Sequence, residues 1–249
     1  MNHLFQKYGK IINHHLFLNK KIIILIKNQN NMKNEFKSYY VNHLGKPSSH
    51  LDYFENSMTP YILEEREMRA TQIDIFSRLM RDRLIWIAGP IEDRMATIIQ
   101  AQLMFLDSVT KSDVTLHIDS PGGSVKAGLS IVDVMDYIAC DVRTVNTGMA
   151  ASMGSIILGA GTKGKRTSLR FSKTMLHQSS GGAYGNIQDA EITMKEWQKT
   201  NEILFKLLGD YCGKTAEQVK LDASRDLWLD ANESLSYGII DEIIISKKK

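Results

Sequence analysis

From about Pro60 onward the chain alternates between two hydrophobic periods, and that alternation restricts the possible folds more than any other feature. Continuous apolar runs at 84–88, 114–118, 142–145 and 174–177 read as strands. Between them lie stretches with apolar residues at helical spacing: a short one at 74–80, and one at 92–108 through Met95, Ile98, Ile99, Leu103 and Leu106. A third passes through Leu129, Val132, Met135 and Ile138, and another runs to about residue 160. A long helix is expected over 186–212, using Ile192, Trp197, Ile203, Leu204 and Leu207, and shorter segments follow at 227–229, 231–237 and 238–243. Strand then helix, repeated about every 30 residues, specifies an α/β domain of crossover units. Unbroken apolar strands belong to a parallel sheet covered on both faces. Glycine-rich turns close two of the strands at their C-terminal ends, where such sheets place their ligands.

Charge separates the chain into two parts. Residues 1–57 hold eight lysines against Glu35, Asp52 and Glu55, a net +5, so the rest carries −2 of the total +3. A nearly neutral body is no surface for nucleic acid. The apolar run at 22–26 is far short of the roughly 20 residues that span a bilayer, and no small-residue cleavage site follows it. We therefore expect 1–57 to be an extension or pre-sequence, removed or poorly ordered, with Lys46-Pro47-Ser48-Ser49 as linker, and 58–249 to be the working domain. Met32 opens a more ordinary segment, which suggests that 1–31 lies upstream of the natural start or is a removable leader. Cys140 and Cys212 stand far apart with no C-x-x-C, as expected of thiols in a reducing, cytoplasmic setting, and no zinc-ligand spacing occurs.

Three strand ends carry polar residues with chemical potential. After the third strand comes Gly148-Met149-Ala150-Ala151-Ser152-Met153-Gly154, small residues around one serine. Such a turn leaves a serine uncrowded for nucleophilic attack and aims the Met153 amide at an incoming carbonyl oxygen. The same composition also suits a helix start that packs closely. His177, one of two histidines beyond residue 57, ends the next run; it fits a general base or a structural histidine. Gly122 and Gly123 follow a proline at another strand end, where they expose amides or make a tight turn. A serine hydrolase needs a nucleophile, a base, a group to orient the base, and amide donors for the oxyanion. Spacing does not choose the acid: Asp189, Asp222, Asp226, Asp230 and Asp241 all qualify.

Taken together these motifs resemble the ClpP family of serine peptidases. Ser120-Pro121-Gly122-Gly123-Ser124-Val125 with Ala127-Gly128-Leu129 is similar to one family signature, and 148–154 to the nucleophile signature. Met175-Leu176-His177-Gln178 is similar to the histidine signature, and Arg225-Asp226-Leu227-Trp228-Leu229 to the segment bearing the acid. The intervals of 25 residues from Ser152 to His177 and 49 from His177 to Asp226 agree with the family pattern, over about 60–244. Residues 32–57 resemble the pre-sequence of some relatives. The resemblance implies Ser152 as nucleophile, His177 as base, Asp226 as orienting acid, and the amides of Gly123 and Met153 as oxyanion donors. It implies a crotonase-like spiral of strand–helix units with a protruding handle of strand and long helix. It also implies two stacked heptameric rings around a chamber, no cofactor or metal in this subunit, and an AAA+ unfoldase that spends ATP to deliver unfolded polypeptides.

Two departures bear on these expectations. Ser179 replaces the usual proline after His-Gln, which removes a rigid φ and should loosen the handle strand. Thr115 and His117 stand where relatives often carry tyrosines that receive the unfoldase loop, so docking should differ in strength or specificity. Two other readings share the fold: an acyl-CoA enzyme of the crotonase kind, and a ring subunit that scaffolds an active partner. Serine, histidine and aspartate occurring together argue against both.

Overall fold

The computed structural model of the chain describes residues 61–66, 69–181 and 185–245, all within the unit Tyr61–Lys249. The expected extension at 1–57, its Lys46–Ser49 linker and Met32 lie outside the described residues. In chain order the elements are β1 (Tyr61–Arg66), β2 (Arg69–Asp74), α1 (Ile75–Arg81), β3 (Leu84–Ala88), α2 (Asp93–Val109), β4 (Val114–Ser120), α3 (Val125–Tyr137) and β5 (Val142–Ala151). Then follow α4 (Met153–Gly159), β6 (Arg166–Leu169), β7 (Lys173–Leu176), α5 (Ile187–Cys212), α6 (Ala216–Asp222), β8 (Leu227–Leu229), α7 (Ala231–Tyr237) and β9 (Glu242–Ile244).

This is the mixed α/β arrangement expected, with helices against a largely parallel sheet. β1 and β2 form a separate antiparallel pair. The main sheet runs β3-β4-β5-β6-β9, and β7 branches from β5 to pair antiparallel with β8. The apolar strands supply the core as their pattern requires: Ile85, Ile87, Val114, Leu116 and Ile118 are buried. Against them pack Ala96, Ile99, Leu103 and Leu106 of α2 and Ala127, Ile131, Val132 and Met135 of α3. Ile98, expected on the inner stripe of α2, is 48% exposed instead. Helix starts are capped from the sequence: Asp74, Ser124, Asn186, Thr215 and Asp230 each accept an N–H from the first turn.

β5 is longer than its apolar run. The small-residue segment read as a turn from Gly148 continues as strand to Ala151, because a second set of partners takes over. Thr144–Asn146 pairs with β6, whereas Met149–Ala151 pairs with β7. At the changeover the register against β4 shifts between Ile118 and Ser120. Asp119 braces this bulge by accepting the Met149 N–H at 3.0 Å, and a Cβ on Gly148 would fall 2.6 Å from that carboxylate. Gly148 is therefore required by a close approach, not by a turn.

Three elements escape the apolar reading: β2, β6 and α6. β6 is the instructive case, since Arg166, Thr167 and Ser168 are polar and yet buried. Their side chains are satisfied internally, Thr167 donating to Thr144 O and Arg166 to Asp241 and Tyr211 O. A periodicity count over apolar residues misses a strand held this way. In α5 the buried residues are Leu204, Phe205, Leu208 and Gly209, all in its C-terminal part. Ile192 and Ile203, expected to face the core, are 61% and 52% exposed.

Candidate active site

Ser152 joins β5 to α4 in a conformation that few side chains adopt, φ 53° and ψ −122°. Such a backbone costs on the order of 1–3 kcal/mol and persists only where its surroundings hold it. Here the Ser152 N–H donates to Met175 O at 2.9 Å. Its carbonyl accepts from both the Ser155 hydroxyl, at 2.6 Å, and the Ser155 N–H, at 3.0 Å. The small neighbours make room: a Cβ on Gly122 would lie 2.6 Å from the Ser152 Cβ, and one on Gly154 3.2 Å from Ser120 O.

Sheet register brings the base and the acid to this serine. Ala151 pairs with Met175 in parallel, so Ser152 and His177 leave neighbouring strand ends side by side. Leu176 pairs antiparallel with Leu227, which sets His177 opposite Asp226, one step beyond the pairing. His177 Nε2 lies 2.9 Å from Ser152 Oγ, and Nδ1 lies 3.2 Å from Asp226 Oδ1. A carboxylate only accepts, so Nδ1 carries the proton and Nε2 is left to accept the serine O–H. The imidazole is largely enclosed, whereas the Asp226 carboxylate is 62% exposed.

The other four candidate acids have separate work. Asp189 sits in the first turn of α5 against Asn186, and Asp222 accepts from the Tyr237 hydroxyl at 3.0 Å. Asp230 forms a capping box with Glu233 at the start of α7, and Asp241 pairs with Arg166. None of them faces His177, so the choice left open by spacing falls to Asp226.

The amide pair follows from a parallel bridge that the sequence did not reveal. Ile91 N–H donates to Gly122 O and Ser124 N–H to Ile91 O, both at 2.8 Å, with Gly123 as the bridged residue. In a parallel bridge the neighbours' groups face the partner and the middle residue's own N–H faces away. The Gly123 N–H is thereby turned from Ile91, and a Cβ on Gly123 would collide with Ile91 O at 2.2 Å. Buried Ser120 fixes the approach by donating to Gly89 O at 2.7 Å and accepting the Gly122 N–H at 3.1 Å. Met153 N–H opens α4 and so has no carbonyl within its own helix. Met153 N lies 3.1 Å from where a Gly122 Cβ would be, which sets the Gly122 backbone close to the start of α4 and to Ser152.

Beside the Ser152–His177 pair lies a narrow cleft of about 20 Å³, room for about one water molecule. Its apolar walls include Met153, Ile156, Leu204 and Phe205, and besides the serine and histidine its polar members are Ser155, Ser179 and Asn201. The Ser179 N–H donates to Asn201 Oδ1 at 3.0 Å, a bond a proline could not make. The strand expected to loosen thus has a different restraint. Sequence reasoning missed Ile91 and Asn201, and named Ser120 only within its signature. Gly89-Pro90 before Ile91 was the available signal for the first, and Asn201 acts through a side-chain bond that leaves none. His117 stacks on Trp86 with ring centroids 4.0 Å apart, and burial holds its imidazole below the ordinary pKa. Among the described residues no three His, Cys, Asp or Glu side chains gather as a metal site, and no helix is long and apolar enough to cross a membrane.

Comparison with known proteins agrees on one family. The family model described as Clp protease matches residues 65–247. Among curated relatives, the ATP-dependent Clp protease proteolytic subunit of Bacteroides fragilis (strain YCH46) is 47% identical over 218 residues, covering 86% of this chain and 99% of its own. The protein of the same name from Porphyromonas gingivalis is 45% identical, covering 87% of this chain and all of its own length. That from Streptococcus mutans serotype c is 48% identical over 190 residues, 75% of this chain and 97% of its own.

Proposed function

The chain belongs to the Clp protease family, and from that premise we propose that it is a serine endopeptidase, the proteolytic subunit of an ATP-dependent Clp protease. The observation that carries the reading is the continuous hydrogen-bonded chain from Ser152 through His177 to Asp226. Ser152 Oγ attacks the scissile carbonyl carbon as His177 Nε2 takes its proton. The carbonyl oxygen becomes an oxyanion that accepts from the two amides, and Asp226 holds the Nδ1–H tautomer and stabilises the imidazolium. Collapse breaks the C–N bond, with His177 returning the proton to the departing amine. Water, deprotonated by His177, then releases the acyl group from Ser152, which recovers its proton.

These steps call on side chains and amides alone, so this subunit needs no cofactor of its own. The relatives' name, ATP-dependent, points to an ATPase partner, which we take to be an AAA+ unfoldase delivering unfolded polypeptide to stacked heptameric rings in the cytoplasm. A site reached only from within such a chamber would spare folded proteins although its triad is open to water.

A fluorophosphonate probe tests the reading directly. The wild-type protein should be labelled on Ser152 and should cleave short fluorogenic peptides; Ser152→Ala should lose both. An assembled protein that resists the probe would instead support a scaffold subunit.

A further inference from the structure

We propose that Ser155 is a positioning residue whose hydroxyl locks the Ser152–Met153 peptide in the orientation that aims the Met153 N–H at the reacting carbonyl. The inference rests on the peptidase reading above, in which that N–H is one of the two oxyanion donors. Ser155 is 1% exposed, and its hydroxyl donates its one proton to Ser152 O at 2.6 Å. The same oxygen accepts the Ser155 N–H at 3.0 Å and the Ile156 N–H at 3.4 Å. Three donors from the start of α4 thus converge on one carbonyl. A buried helical serine often bonds back to a carbonyl of the preceding turn; this one bonds to the carbonyl of the nucleophile.

The carbonyl matters because of what shares its plane. The Ser152–Met153 peptide is trans, so it is flat and its C=O and N–H point in opposite directions. Drawing Ser152 O into α4 therefore turns the Met153 N–H out of the helix start, where it has no acceptor in its own helix. The plane has a competing orientation. Ser152 stands at φ 53° and ψ −122°, the angles of the first central residue of a type II′ turn, a position that favours glycine. The left-handed well that other residues do occupy lies at the same φ with ψ about +45°, nearly half a turn away. Rotation into that well reverses the peptide, sending the N–H inward and presenting a carbonyl to the substrate's oxygen. Bonds to Ser152 O oppose the rotation, and the Ser155 hydroxyl makes the shortest of them.

The test uses the full-length protein and removes only the hydroxyl. Ser155→Ala keeps the backbone bond to Ser152 O and suits a helix. It should lower kcat for a fluorogenic peptide on the order of tenfold, the weight of one hydrogen bond, with KM within about twofold. A peptide aldehyde adds to Ser152 as a hemiacetal whose oxygen takes the oxyanion position, so its inhibition constant should rise by the same factor. The His177 pKa read from the pH profile of kcat/KM should stay where it is in the wild type, because the Ser152–His177 contact is untouched. An unchanged kcat in Ser155→Ala overturns the inference, as does a loss carried by KM or by a shifted pH profile while aldehyde binding holds. Fluorophosphonate labelling of the wild type separates the two levels: labelled Ser152 with an unchanged kcat in Ser155→Ala removes this inference alone, whereas an unlabelled wild type removes the peptidase reading and this inference with it.

Discussion

Strain at Ser152 is the price of its exposure. A residue at φ 53° is held by its N–H bond to Met175 O and by bonds from Ser155, and the glycines beside it leave volume for it. The small-residue stretch alone favours a helix start, and the intervals to His177 and Asp226 point instead to a nucleophile. The structure adds the contact with His177 Nε2 at 2.9 Å. Asp226 is the informative position for a test, since its carboxylate is mostly in water and 3.2 Å from the ring. Asp226→Asn should preserve the fold by circular dichroism and reduce peptide kcat by about 10³–10⁴, as loss of an orienting aspartate does elsewhere. Turnover within a few-fold of wild type would reassign the residue. The five aspartates were indistinguishable in sequence because a carboxylate's role depends on what it faces, and four of them face helix ends, a tyrosine or an arginine.

Elements matter here mostly where they change partners. β5 serves β6 with one half and β7 with the other, and the changeover at Gly148 is what carries Ser152 out to the base. Its apolar half was readable; its small-residue half was not, since alanine and glycine carry little periodic signal. β6 is tied to β9 and α5 by Arg166, 3% exposed, which donates from Nε to Asp241 at 2.9 Å and from a terminal nitrogen to Tyr211 O. Burial pushes the Asp241 carboxyl up, but Arg166 and the Gly164 N–H outweigh it and hold it below 3.8. A depressed carboxyl contributes fully above its unfolded pKa and loses that contribution as pH falls through the folded one. Asp241→Asn strands the arginine and should lower unfolding free energy at pH 7 by about 3–5 kcal/mol in urea titrations. The gap from wild type should narrow as pH drops below 3.8, the ordinary value; a constant gap would show that the charge is not what matters.

At the scale of the whole molecule, α5 leaves the body unfinished. Ile187, Ile192, Met194 and Ile203 are exposed along the part of this helix before Leu204, in which none of the described residues is fully buried. Ile192 and Ile203 share one side of the helix, and exposed apolar residues there suit contact with further subunits. Under the proposed ring assembly, Ile192→Glu should shift native mass toward smaller species while the far-UV spectrum stays unchanged. Unaltered mass would place the ring contacts elsewhere.

Local chemistry determined much of this protein without help from the fold. Hydrophobic period set the α/β class, because strands and helices bury apolar residues at different intervals. Capping residues set helix starts, and the serine, histidine and glycine signatures marked the strand ends that matter. The tertiary structure decided what depends on approach in space: which aspartate meets His177, which way the Gly123 N–H turns, and how Arg166 survives in the core. Those are matters of sheet register and of hydrogen bonds between residues dozens of positions apart. A linear pattern records residue types and intervals, but it does not record who faces whom.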